Sequence, residues 1–124
     1  MAFRALGQQV RTAQRNLETF TCPESISEVV FETDEVTSLC PVTGQPDWYT
    51  VRIRYRPANL CVESKSLKLY FWTFREMGQF CEQFASRVLG DFVAACDPRA
   101  CEVSVIMKSR GGISIEAVAE VGEW

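Results

Sequence analysis

Thr50-Val51-Arg52-Ile53-Arg54-Tyr55-Arg56-Pro57 alternates an apolar residue with an arginine until a proline stops it. A period of two places Val51, Ile53 and Tyr55 on one face of a strand and the three arginines on the other. The apolar face is expected to be buried and the arginine face solvated. Upstream, Ser38-Leu39-Cys40-Pro41-Val42-Thr43-Gly44-Gln45-Pro46-Asp47 carries Pro41, Gly44 and Pro46, so neither a helix nor a central strand is expected to run through it. That loop presents a thiol at one end and a carboxylate at the other. Before it, Ser27 to Val36 is β-prone through Val29, Val30 and Phe31. Residues 1–26 are read as an N-terminal arm, and residues 27–124 as a single domain.

Beyond Pro57 the period changes. Leu67, Tyr70, Phe71, Phe74 and Met77 recur at helical spacing from Ser64 until Gly78 breaks the pattern. A second helix runs through Phe80, Phe84, Val88, Leu89, Phe92 and Val93 and stops at Asp97-Pro98. Two more alternating runs follow, Val103-Val105-Met107 and Ile113 to Val121, with Lys108 to Gly112 turning between them. The order is strand, strand, helix, helix, strand, strand. This predicts an α+β domain in which a four-stranded antiparallel sheet carries a helical pair on one face.

The composition narrows the function. With 13 basic and 16 acidic residues the formal charge is −3, which does not favour nucleic acid as a partner. No stretch approaches the roughly 20 apolar residues of a membrane span, and a cytoplasmic protein is expected. Six cysteines without an export signal are expected to stay reduced. Their spacing does not suit a metal, and no Cys-x-x-Cys occurs. The chain has no histidine, so any acid–base or nucleophilic chemistry must run on Cys, Asp, Glu, Lys or Tyr.

Those residue types gather in a few places. Cys40 is a candidate nucleophile with Asp47 as its proton partner, or a structural cysteine beside a turn aspartate. Lys65 and Lys68 lie three residues apart near a helix start, suited either to a phosphate or to a solvated face. Arg110, in the turn with Gly111 and Gly112, is a candidate third phosphate contact. Glu82 opens the second helix, either as a partner of the helix dipole or as an acceptor for an amidine edge such as that of guanine.

Cys40-Pro41-x-Thr43-Gly44-Gln45-Pro46-Asp47, Glu63-Ser64-Lys65-Ser66-Leu67-Lys68-Leu69-Tyr70 and Arg110-Gly111-Gly112-Ile113 together resemble the short-form 7-cyano-7-deazaguanine reductases, NADPH-dependent nitrile reductases of queuosine biosynthesis. The resemblance covers roughly residues 30 to 120. It implies the tunnelling fold and a homo-oligomer of stacked pentameric rings with active sites between neighbours. It implies that Cys40 adds to the nitrile carbon of a 7-deazapurine to give a thioimide, with Asp47 supplying the proton. Glu82, Glu63, Ser64 and Cys81 fall on substrate positions, and Lys65, Lys68, Arg110 and Gly111 on cofactor positions for NADPH. Cys81 stands where the family usually has histidine; it preserves volume or approaches Cys40 closely enough for a disulfide under oxidation. Cys22, Cys61, Cys96 and Cys101 are assigned to packing. Two other readings share the scaffold: an amidine-forming enzyme acting on a nitrile, and a deazapurine-binding homologue without turnover.

Overall fold

The computed structural model describes residues 15–124; residues 1–14 of the expected arm lie outside them. Strands β2 (Val29–Leu39), β3 (Pro46–Arg56), β5 (Ala100–Arg110) and β6 (Ile113–Gly122) form one antiparallel sheet in the order β2-β3-β5-β6. Helices α1 (Ser64–Trp72) and α2 (Cys81–Cys96) stand between the two strand pairs in sequence. This is the α+β order that the periodicity predicts. A short ribbon was not foreseen: β1 (Thr19–Thr21) comes from the expected arm and pairs with β4 (Leu60–Val62). At three residues each, neither strand carries enough alternation to be read from sequence.

The buried face of β3 is the predicted one. Val51, Ile53 and Tyr55 are almost wholly buried, and Tyr49 extends the row. Aromatic rings from α2 fill the space above it, with Tyr49–Phe84 centroids 5.0 Å apart and Tyr55–Phe92 4.8 Å. These are tilted and edge-to-face contacts, favoured by the ring quadrupoles. On the opposite face Arg52 lies 3.9 Å from Glu32, and Arg54 pairs with Glu28. Both pairs are partly exposed and contribute little to stability.

Two boundaries differ from expectation. The loop around Cys40 is shorter, because β2 runs on to Leu39 and β3 begins at Pro46, with Ser38 opposite Asp47 and Leu39 opposite Pro46. Pro46 is tolerated as the first residue of its strand, and Gly44 turns the chain at φ 72°. Helix α1 ends at Trp72, not at Met77. Residues 73–77 continue in tighter turns, Phe74 N–H to Phe71 carbonyl (3.1 Å) and Met77 N–H to Phe74 carbonyl (3.0 Å). A three-residue turn keeps Phe74 on nearly the same side as Phe71, so it stays buried although the α-helix has stopped.

Candidate active site

The β2–β3 hairpin is held at both ends. Cys40 N–H donates to the Gln45 carbonyl (2.8 Å), and Gly44 N–H donates to the Cys40 carbonyl (2.9 Å). The segment entering α2 runs alongside: Leu39 N–H donates to the Met77 carbonyl (2.9 Å), and Gln79 N–H to the Leu39 carbonyl (3.2 Å). Gly78 lies against the hairpin, where even a Cβ would touch the Pro41 Cα at 3.4 Å. The hairpin is thereby fixed beside the start of α2, where Cys81 and Glu82 sit.

Cys40 is half-buried. The Thr43 hydroxyl, the Thr43 N–H and the Val42 N–H interact with its sulfur and hold its pKa below the ordinary thiol value, against partial burial and the charge of Asp47. Donors aimed at a sulfur favour the thiolate, the form that attacks carbon. Thr43 was given no role from sequence; its place three residues after the cysteine in a tight turn is the signal that could have found it. Asp47, almost fully buried, faces the interior in line with Tyr49. Beneath it Ser38 Oγ and Tyr49 Oη share a 2.7 Å hydrogen bond, both residues wholly buried. Burial first of all, with the charges of Asp47, Cys81 and Cys40 nearby, pushes the Tyr49 pKa up, and it remains a neutral phenol.

Cys81 is buried and turns its thiol to the Val105 carbonyl at 3.6 Å. Burial, then the neighbouring Glu82 charge, raises its pKa. It packs as a neutral thiol and is not joined to Cys40. Glu82 is exposed in the first turn of α2. Antiparallel pairing of β3 with β5 carries the Arg110–Gly111 turn to the same end of the sheet as Asp47. Cys40, Asp47, Cys81, Glu82 and the backbone of that turn therefore share one end of the molecule.

Glu63, Ser64 and Lys65 do not join them within one chain. Val62 N–H donates to Tyr55 Oη (3.1 Å), which ties the start of α1 to the far end of β3. Tyr55 lies eight residues along that strand from Asp47, about 26 Å at the usual rise. Glu63 is also already engaged. Its buried carboxylate accepts from Lys65 N–H (2.7 Å) and Ser66 N–H (2.8 Å), capping α1. The free helix N–H groups expected to assist a phosphate are therefore occupied by the chain's own carboxylate.

What remains is a groove of about 890 Å³ between α1 and the outer strand β2, lined by Lys65, Lys68, Trp72 and Arg75 among others. That volume is within the range of small-molecule sites. The Arg75 guanidinium stacks 4.4 Å over the Trp72 ring. Glu32 and Glu35 line the groove as well, but three cations over an apolar wall outnumber them, so the residues present suit a group that carries both phosphates and flat rings, as a dinucleotide does.

The profile of the family described as "QueF-like protein" matches residues 46–124. The chain is 46% identical over 117 residues to the NADPH-dependent 7-cyano-7-deazaguanine reductase of Frankia casuarinae, covering 94% of each chain. It is 48% identical over 111 residues to the protein of that name from Anaeromyxobacter dehalogenans, covering 88% of this chain and 91% of the other. Among solved structures, it superposes on the apo form of the archaeosine synthase QueF-Like with a TM-score of 0.76 and 27% identity, over 82% of this chain and 99% of that one.

Proposed function

The chain belongs to the family of the NADPH-dependent 7-cyano-7-deazaguanine reductases, and we propose from that premise that it reduces the nitrile of 7-cyano-7-deazaguanine to an aminomethyl group for queuosine synthesis. The observation that carries the reading is the Cys40 thiol, half-exposed in a rigid hairpin and favoured as thiolate by Thr43 and Val42, with Asp47 beside it. A nitrile is a weak electrophile. Addition of a soft thiolate turns it into a thioimide, whose C=N is open to hydride. In that addition the Cys40 Sγ–carbon bond forms, one C≡N π bond breaks, and the nitrogen takes a proton from Asp47. Glu82 hydrogen-bonds the N–H edge of the deazaguanine, with Cys81 packed beneath it.

NADPH supplies the hydride equivalents, two for each nitrile carried to the amine. Lys65 and Lys68 would hold its phosphates in the α1–β2 groove, with the Arg110–Gly111 turn contributing from the Cys40 end. Since Glu63, Ser64 and Lys65 lie far from Cys40 of the same chain, a homo-oligomer that brings them from a neighbour completes the site. Stacked pentameric rings are the assembly we propose. Two features support association: among the described residues β2 and β6 each leave one edge unpaired, and Trp48, Ile106 and Val118 are exposed. Six free cysteines accord with a cytoplasmic setting, and among the described residues no helix is long and apolar enough to cross a membrane.

Identity of 44–48% to the reductases against 27% to the archaeosine synthase favours reduction over amidine formation. The test is NADPH oxidation with 7-cyano-7-deazaguanine, beside Cys40→Ala. Consumption of two NADPH per nitrile, abolished in the variant, is the expected result. A covalent adduct by intact mass without NADPH consumption would leave addition alone, and neither would favour a binding protein.

A further inference from the structure

The reading of Asp47 as proton carrier leaves a buried polar pair beneath it without a role. Ser38 and Tyr49 are both wholly buried, and their hydroxyls are 2.7 Å apart. A pair of hydroxyls owns two protons and spends one between its members. The other proton needs an acceptor, because a buried donor left unpaired is costly. The nearest carboxyl in the register is that of Asp47, whose charge the Tyr49 hydroxyl senses. Ser38 pairs directly across from Asp47, and Tyr49 follows two residues later on the same strand face. Directly opposed side chains in an antiparallel pair have Cβ atoms about 4.5–5.5 Å apart, within reach of a carboxylate. Tyr49 is itself immobilised, its ring packed 5.0 Å from that of Phe84 on α2.

We propose that the Ser38–Tyr49 hydroxyl pair positions the Asp47 carboxyl for the proton step of nitrile addition, making both positioning residues for the reaction. As the proton moves, the second hydroxyl proton of the pair turns to one carboxyl oxygen and leaves the other facing Cys40 and the incoming nitrogen. The proton that leaves the Cys40 thiol ends on the nitrile nitrogen by way of Asp47, and no atom is oxidised or reduced in that step. Ser38 and Tyr49 hold the carboxyl through the transfer without exchanging a proton with substrate. Their contribution lies in orientation, where a small misplacement slows a reaction without weakening binding.

This inference rests on the proposed function, and its test separates the two. Adduct formation is followed by intact mass with 7-cyano-7-deazaguanine and no NADPH, on wild type, Tyr49→Phe, Ser38→Ala and Asp47→Asn. Tyr49→Phe keeps the ring against Phe84 and removes only the hydroxyl. The expected result is adduct formation about tenfold slower in Tyr49→Phe and Ser38→Ala. Substrate affinity, measured in a Cys40→Ala background, is expected to be unchanged. A wild-type rate in Tyr49→Phe, or a loss seen wholly as weaker binding, while Asp47→Asn is slow, overturns the positioning role alone. No adduct in the wild type, or an unimpaired Asp47→Asn, overturns it together with the role of Asp47.

Discussion

The two ends of the sheet treat their polar groups in opposite ways. At the α1 end each buried polar group is engaged. Both Glu63 carboxylate oxygens accept N–H groups, Ser66 donates to the Glu63 carbonyl (2.8 Å) and accepts from Glu18 N–H (2.9 Å), and Tyr55 accepts from Val62. At the Cys40 end one buried polar atom is left over. The thiol has donors around it, the carboxyl of Asp47 is buried next to it, and the Gln79 amide nitrogen is the buried side-chain polar atom without a partner among the described residues. A saturated network fixes structure, and a buried polar group without a partner costs stability. The α1 end is held by its own hydrogen bonds, and the reaction we propose sits at the other.

The largest test of that contrast is Cys40→Ala. Turnover is expected to fall by about 10³-fold or more, while the melting temperature stays near that of the parent, since a half-exposed hairpin side chain is lost. Glu63→Ala is expected to act through stability, removing about 2 kcal/mol and lowering Tm by about 6–12 °C. A Glu63→Ala protein with unchanged Tm would break the comparison and return that residue to substrate binding alone.

Thiol reactivity sharpens it further. The lowered Cys40 pKa means more thiolate at neutral pH, so its alkylation should be half-maximal below the roughly pH 8.5 of an ordinary thiol. Thr43→Val removes the main donor, raises that midpoint and slows alkylation at pH 7 about three- to tenfold. Burial holds Cys96 and Cys101 at about 12 and Cys61 at about 11. Mass mapping of a limited alkylation should find Cys40 labelled before any of them. The smallest effect is at Gln79. Replacing this buried amide by Met should leave stability unchanged or raise it by up to about 1 kcal/mol, read as a shift in urea midpoint; a loss would mean that the amide nitrogen has a partner.

Much of this was legible in the sequence, and the reason is periodicity. The alternation from Thr50 to Arg56 and the helical spacing from Phe80 to Val93 each report a one-sided environment, and burial is a one-sided property. The Cys40–Asp47 pair was legible too, because a proline- and glycine-bearing hairpin brings its two ends together by local geometry. Capping was not. Glu63 looks the same in sequence whether it binds a ligand or closes its own helix, and only the backbone decided which N–H groups it meets. Likewise nothing in Ser38 or Tyr49 announces a hydroxyl pair, since they are eleven residues apart and meet only through the hairpin register.

The sequence by itself determined the four long strands, the two helices, their order, the buried face, and a thiol and a carboxyl at the two ends of one hairpin, all consequences of short-range pattern and side-chain chemistry. Tertiary structure decided the rest. It set which end of the sheet is saturated, placed α2 beside Cys40 through the close approach of Gly78 to Pro41, and kept Glu63 some strand-length away. Those outcomes depend on contacts between residues distant in the chain, and such contacts leave no period to read.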